Sequence, residues 1–109
     1  MNTLESNKLL INVSAVSNTA TIYLSGSFTF DAFREFKAAY KSQLNDSKIN
    51  CIVVDLEKTQ YLDSSALEML VVLRDQVQLT GKSLILSKPS LFIKRVFDIA
   101  NFQKLFVIT

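Results

Sequence analysis

The chain has 109 residues, of which 49% are hydrophobic, with only 2 glycines and 1 proline; this composition is typical of one folded domain and excludes a disordered segment. The net charge of +2 gives no indication of a nucleic-acid partner, and the absence of histidine removes the commonest general base and metal ligand. The single cysteine, Cys51, excludes an internal disulfide and is expected to act as a small buried residue. We expect one domain over residues 1–109, without metal or cofactor.

The first half of the chain predicts a hairpin followed by a helix. Residues 1–7 are polar and expected to be loose. Alternating side chains predict strands over residues 8–16 and 20–25, with a turn between them. Residues 26–30 are expected to form a loop, in which Thr29 or Asp31 caps the next helix. The residues expected on the core face of that helix are Phe33, Phe36, Tyr40 and Leu44.

The second half predicts strands alternating with helices. An apolar run over residues 51–56 predicts a buried strand, and helical spacing predicts a helix that ends near Gly81. Residues 83–86 and 105–108 are expected to be strands, with a helix between them capped by Ser90 and ended by a left-handed Asn101. The residues expected on the core face of this last helix are Phe92, Val96 and Ile99.

The order β-β-α-β-α-β-α-β indicates an α/β fold. We expect a mixed sheet of about five strands, with about three or four helices packed against one or both faces. Residues 9–30 carry no charged side chain, but polar residues interrupt the run with strand-like alternation. A membrane span is therefore not expected, and with no apparent export signal we expect a cytoplasmic protein.

The chemistry-bearing residues do not form a recognisable catalytic set. The segment 80–83 ends like a phosphate-binding loop, but Gln76 stands where that motif needs glycine, and the segment leaves a helix instead of entering one. Asp55 and Asp98 lack a histidine, a paired acid at a supportive spacing or a metal partner. We expect that the protein is not an enzyme.

The junction between the strand at 51–56 and the following helix is the most informative segment. Asp63 and Ser64 are both good N-cap residues, so Ser65 falls in the first turn with its hydroxyl expected to face solvent. Residues 63–67 resemble the Asp-Ser-Ser-Gly-Leu signature of STAS domains, the bacterial anti-sigma factor antagonists. Residues 94–98 are similar to the Lys-Arg-Leu-Phe-Asp segment of that family's last helix, and residues 24–26 to its Leu-x-Gly.

The resemblance implies a phosphorylation-controlled adaptor. Ser65 matches the phosphorylated serine of the family, which implies binding to an anti-sigma factor or GHKL-type serine kinase and reactivation by a PP2C-type phosphatase. A phosphate at a helix N-terminus is favoured by roughly 0.3–1 kcal/mol, so the modification should leave the domain folded and act on the partner. The residues expected in the switch loop and partner-binding face are Asp63, Ser64, Ala66, Glu68, Met69 and Val72.

Three points stay open. Met69 could equally belong to the core, and Val72 could be an incidental surface residue. Ala66 stands where the family usually has glycine, and Thr29 near where an acidic residue is common. STAS-like domains also occur as constitutive cytoplasmic subunits of lipid-trafficking ABC transporters, in which the same helix face would dock without phosphorylation.

Overall fold

The computed structural model describes residues 8–109 and confirms a mixed α/β sheet. The expectation for residues 1–7 lies outside the described residues. Within residues 8–109 there are six strands instead of five, together with three α-helices and two short 3-10 helices, at Phe30–Ala32 and Phe102–Lys104. The elements are β1 (Leu10–Val16), β2 (Thr19–Phe28), α1 (Phe33–Leu44), β3 (Cys51–Asp55), β4 (Thr59–Leu62), α2 (Ser64–Thr80), β5 (Ser83–Ser87), α3 (Leu91–Ile99) and β6 (Val107–Ile108).

The sheet has the strand order β1-β2-β3-β5-β6, and β4 pairs with the far end of β2. The predicted hairpin is confirmed, since β1 and β2 are antiparallel; the other neighbouring strands are parallel. One face of the sheet is the core face, where Ile22, Ile52 and Leu86 have no solvent-accessible surface. On the opposite face Tyr23 is exposed and Val53 only half-buried, so the helices cover one face.

Gly26 marks the point where β2 changes partner. Thr19–Tyr23 pair with β3, whereas Gly26–Phe28 pair with β4, and the register shifts between Gly26 and Ser27. Gly26 has φ 110°, a conformation that side chains rarely tolerate. The hydroxyl of Thr59 donates to the carbonyl of Leu24 over 2.7 Å, which satisfies a buried polar group at the same place. Residues 26–28 are therefore strand, and predicting them as loop was wrong.

The predicted helix ends are confirmed where a single residue decides them. Ser90 Oγ accepts a hydrogen bond from the amide of Ile93 over 3.2 Å, as an N-cap does. Gly81 ends α2 with φ 76°, and Asn101 has φ 58° after α3. Lys82 Nζ donates to the carbonyls of Asp46 and Ile49, so the lysine of the 80–83 segment ties the loop after α1 to the end of α2.

The start of α1 differs from the prediction. Neither Thr29 nor Asp31 gives the helix a side-chain cap; the hydroxyl of Thr29 donates to the Asp31 carboxylate instead. A 3-10 turn over residues 30–32 leads into the helix. Phe36 and Tyr40 are buried as expected, but Phe33 is 50% exposed, so its assignment to the core was wrong.

The core face of α3 was predicted wrongly at two of its three positions. Ile93 and Phe97 are the buried residues and Val96 is partly buried against the core, whereas Phe92 and Ile99 are exposed. Phe97 stacks on Phe102 of the following 3-10 helix, with ring centroids 5.1 Å apart. This contact fixes the rotation of α3, because both stripes of the helix are apolar and either could face inward.

Cys51 is half-buried on the open side of the sheet and not fully enclosed. Burial raises the pKa of its thiol, and a hydrogen bond with Ser83 partly offsets the effect. Over residues 8–109, none of the helices combines the length and apolarity needed to span a membrane.

Candidate functional site

Asp63 holds the start of α2 and the start of α1 together. Its Oδ1 accepts a hydrogen bond from the amide of Ala66 over 2.9 Å, which confirms it as the N-cap of α2. Its Oδ2 accepts from the amide of Phe30 over 3.2 Å, and its own amide donates to the carbonyl of Phe28. One carboxylate therefore joins two segments 33 positions apart in the sequence.

The two hydrogen bonds of Asp63 can be separated by substitution. We expect Asp63→Ala to lower the free energy of unfolding by about 1–2 kcal/mol, because it removes the cap and leaves the Phe30 amide without its acceptor. Asp63→Asn keeps one carbonyl oxygen for the cap and should cost less than about 1 kcal/mol. Urea denaturation measures both, and equal losses for the two variants would contradict this role.

Ser65 is half-buried in the first turn of α2 and lines a groove between this helix and α1. The sequence predicted a solvent-facing hydroxyl, and the structure places the half-buried residue on the wall of an open groove. Glu68, Met69 and Val72 lie along the same wall, as their spacing of three, four and seven residues from Ser65 requires. The groove has a volume of about 250 Å³.

The opposite wall of the groove comes from α1 and the 3-10 turn before it. Phe30 and Phe33 are 71% and 50% exposed, although both are large apolar side chains. Lys37 lies over the Phe33 ring, with Nζ 5.6 Å from the ring centroid, and it lines the groove as well. An apolar groove with exposed aromatic rims is typical of a protein-binding surface.

The floor of the groove belongs to the hydrophobic core. Phe36 is 1% exposed and its ring centroid lies 4.9 Å from that of Phe28 and 5.4 Å from that of Tyr40. Burial raises the pKa of Tyr40, so its hydroxyl is uncharged near neutral pH. The groove therefore has a floor of packed core side chains, and Lys37 and Glu68 are the charged residues among those that line it.

The remaining predicted site residues differ in their exposure to solvent and in whether they line the groove. Ser64 is exposed beside the groove without lining it. Met69 is 7% exposed, so it belongs largely to the core while still lining the groove, and Val72 is 47% exposed. Ala66 is completely buried, so its side chain is not available to a partner, and its predicted role is limited to the switch loop.

Sequence reasoning did not include Phe30, Phe33 and Lys37 in the site. These residues precede Ser65 by 28 to 35 positions, and only the packing of α1 beside α2 brings them to it. The local sequence contained no signal for Phe33, since it has the helical spacing of the buried Phe36 and Tyr40. The groove holds no histidine or cysteine, and its chemistry suits binding of an apolar segment.

Comparison with known proteins agrees with this architecture. The sequence model of the STAS domain matches residues 10–109. A STAS-domain containing protein of Pseudomonas aeruginosa (strain UCBPP-PA14) is 36% identical over 96 residues, covering 88% of this chain and 93% of the relative.

Two solved structures show the same fold at low sequence identity. The unphosphorylated form of the anti-sigma factor antagonist SpoIIAA has a TM-score of 0.78 at 18% identity, covering 92% of this chain and 88% of the other. The phosphorylated form of the Bacillus cell fate determinant SpoIIAA has a TM-score of 0.72 at 17% identity, covering 92% and 91%. From the sequence match over residues 10–109 and the Pseudomonas relative, the chain belongs to the STAS domain family.

Proposed function

We propose that the protein is a regulatory adaptor, similar to an anti-sigma factor antagonist, whose binding to its partner is switched by phosphorylation of Ser65. Unmodified, it binds an anti-sigma factor or GHKL-type serine kinase through the groove between α1 and α2. Phosphorylation by that kinase releases it, and a PP2C-type phosphatase restores binding. The observation that carries the proposal is the position of Ser65 in the wall of an exposed apolar groove.

A phosphate on Ser65 is compatible with the folded domain. It would add about −1.5 to −2 charges in the first turn of α2, where the helix dipole favours an anion. Phosphorylation of Ser65 is therefore not expected to unfold the domain. The effect falls on a partner that covers the groove, because a buried dianion must be matched by cations or it costs binding free energy.

Lys37 is the one cationic residue among those that line the groove, and it changes the expectation from sequence, which placed no lysine opposite Ser65. One ammonium group balances only about half to two-thirds of the phosphate charge, and Glu68 on the same wall as Ser65 adds a negative charge. A partner that inserts an apolar side chain would also meet a hydrated phosphate instead of an apolar wall. A tenfold loss of affinity requires only about 1.4 kcal/mol.

Affinity capture from native lysate with four baits tests this switch. We expect wild-type protein and Ser65→Ala to retain a kinase-like ATPase and Ser65→Asp to lose it. Ser64→Asp is the matched control, since it puts the same charge at the same helix end on a residue that does not line the groove. Ser64→Asp should retain the partner.

Retention of the same partner by all four baits would overturn the switch. A transporter ATPase retained in that way would identify the protein as a constitutive subunit of a lipid-trafficking transporter. Loss of the partner in both aspartate variants would show that a negative charge anywhere at the start of α2 weakens binding. This outcome would also contradict the proposal, which requires the charge to lie in the groove.

A further inference from the structure

Strand β1 forms one edge of the sheet, and within residues 8–109 it pairs only with β2. In an antiparallel pair, alternate residues direct their backbone N–H and C=O groups toward the neighbour and the others direct them away. Half of the backbone groups of β1 therefore point outward along the free edge. The opposite edge strand, β6, has only two residues, Val107 and Ile108, and offers almost no such surface.

β1 lacks the features by which edge strands usually avoid pairing. Leu10–Val16 contains no charged residue and no proline, and its register against β2 is unbroken from end to end. Charges, prolines and bulges are the ordinary protection of an edge, and a long edge without them is a template for another strand. At about 3.4 Å per residue, the seven residues give an edge roughly 24 Å long.

The side chains of β1 are also poorly covered on both faces of the sheet. Leu10 and Val16 are 64% and 73% exposed on the open face. On the helix side, Val13 is 40% exposed although its neighbour across the ladder, Ile22, is completely buried. The helix layer therefore covers the strand only in part: Ile11 packs against the core, but Val13 leaves apolar surface beside the outward-pointing backbone groups.

We propose that β1 is a homodimerisation edge, on which β1 of a second copy adds in antiparallel register about a two-fold axis at Val13. The sequence of the strand is self-complementary in this register. Each pair joins side chains of the same kind: Val13 with Val13, Asn12 with Ser14, Ile11 with Ala15, and Leu10 with Val16.

A second copy of β1 matches this edge in side-chain chemistry as well as in backbone pairing. Side chains on the open face meet only side chains of that face, because the paired positions have the same parity. No like charges oppose each other within the paired segment, since β1 has none. A pair of seven-residue strands is a small contact, so the dimer should be weak and dissociate at low protein concentration. This inference concerns a different surface from the Ser65 groove and does not rest on its function.

Sedimentation equilibrium of the purified full chain at roughly 10–500 µM tests the dimer. We expect the mass to rise with concentration from 12.3 kDa toward twice that value. The double variant Asn12→Lys/Ser14→Lys puts like charges opposite each other in two cross-strand pairs, and should weaken dimerisation at least about tenfold. Both residues are exposed, so the monomer should remain folded by circular dichroism.

Two further variants keep the test specific for the edge and its register. Asn12→Lys/Ser14→Glu sets opposite charges against each other in the proposed register and should restore the dimer. Gln76→Lys/Gln78→Lys adds the same charge to the exposed side of α2 and should dimerise like the wild type. A wild-type chain that stays monomeric at 500 µM, or a lysine–glutamate variant no better than the lysine pair, would overturn the proposal.

Discussion

Phe36→Ala is expected to destabilise the domain by about 3–5 kcal/mol, the usual cost of removing a buried aromatic ring. Phe36 is 1% exposed and lies between the rings of Phe28 and Tyr40, so truncation would leave a cavity beneath the groove. Because domains of this size are stable by only about 5–15 kcal/mol, this loss is a large fraction of the total free energy of unfolding. Urea denaturation followed by circular dichroism measures the loss.

Phe33→Ala is the matched control for this prediction. It removes the same atoms from the same helix, but the residue is 50% exposed, so the cost should stay below about 1 kcal/mol. Similar losses for the two variants would mean that Phe36 is not the residue that anchors α1 to the sheet.

The second large effect is expected on binding. If the groove receives the partner, Phe33→Ala should weaken the complex by about 2 kcal/mol or more, roughly 30-fold in Kd, because an exposed aromatic side chain that a partner covers is a typical hot spot of binding. The Phe33 ring lies at the exposed rim of the groove, and Lys37 Nζ lies over the face of this ring. Isothermal titration with the captured partner measures the change.

Leu79→Ala provides the control on another helix. Leu79 is 82% exposed near the end of α2 and does not line the groove, so its removal should leave Kd within about twofold of the wild type. An unchanged Kd for Phe33→Ala would show that the partner docks elsewhere, whatever the role of Ser65.

The features that could be predicted from sequence are those decided by one or two neighbouring residues. Asp63 and Ser90 are N-caps because a short oxygen-bearing side chain satisfies an amide of the next turn. Gly81 and Asn101 end helices because they accept a left-handed backbone. These local choices, with the apolar strands between them, were sufficient to predict the α/β class.

The features that sequence did not predict depend on contacts between distant segments. The rotation of α3 is set by Phe97 stacking on Phe102, and nothing within the helix favours that stripe over Phe92 and Ile99. Strand β4 has only four residues, and it exists because β2 continues past the irregularity at Gly26 to pair with it. Neither the contact of Phe97 with Phe102 nor the pairing of β4 with β2 produces a periodic pattern within its own segment.

Of the two walls of the candidate site, the sequence predicted only the wall formed by α2. The α2 wall follows from helical spacing around Ser65, because residues three and four apart share a helix face. The α1 wall, with Phe30 and Phe33, requires the packing of two helices that sequence reasoning treated separately. Phe33 was predicted as core because it has the helical spacing of Phe36 and Tyr40, but the 3-10 turn before α1 leaves it at the rim.

The affinity of the captured partner for protein quantitatively phosphorylated on Ser65, compared with the unmodified protein, tests the central claim most directly. We predict at least a tenfold higher Kd for the phosphorylated form, about 1.4 kcal/mol or more, with an unchanged far-ultraviolet circular dichroism spectrum. Equal Kd values for the two forms, with the fold intact, would contradict a phosphorylation switch at Ser65.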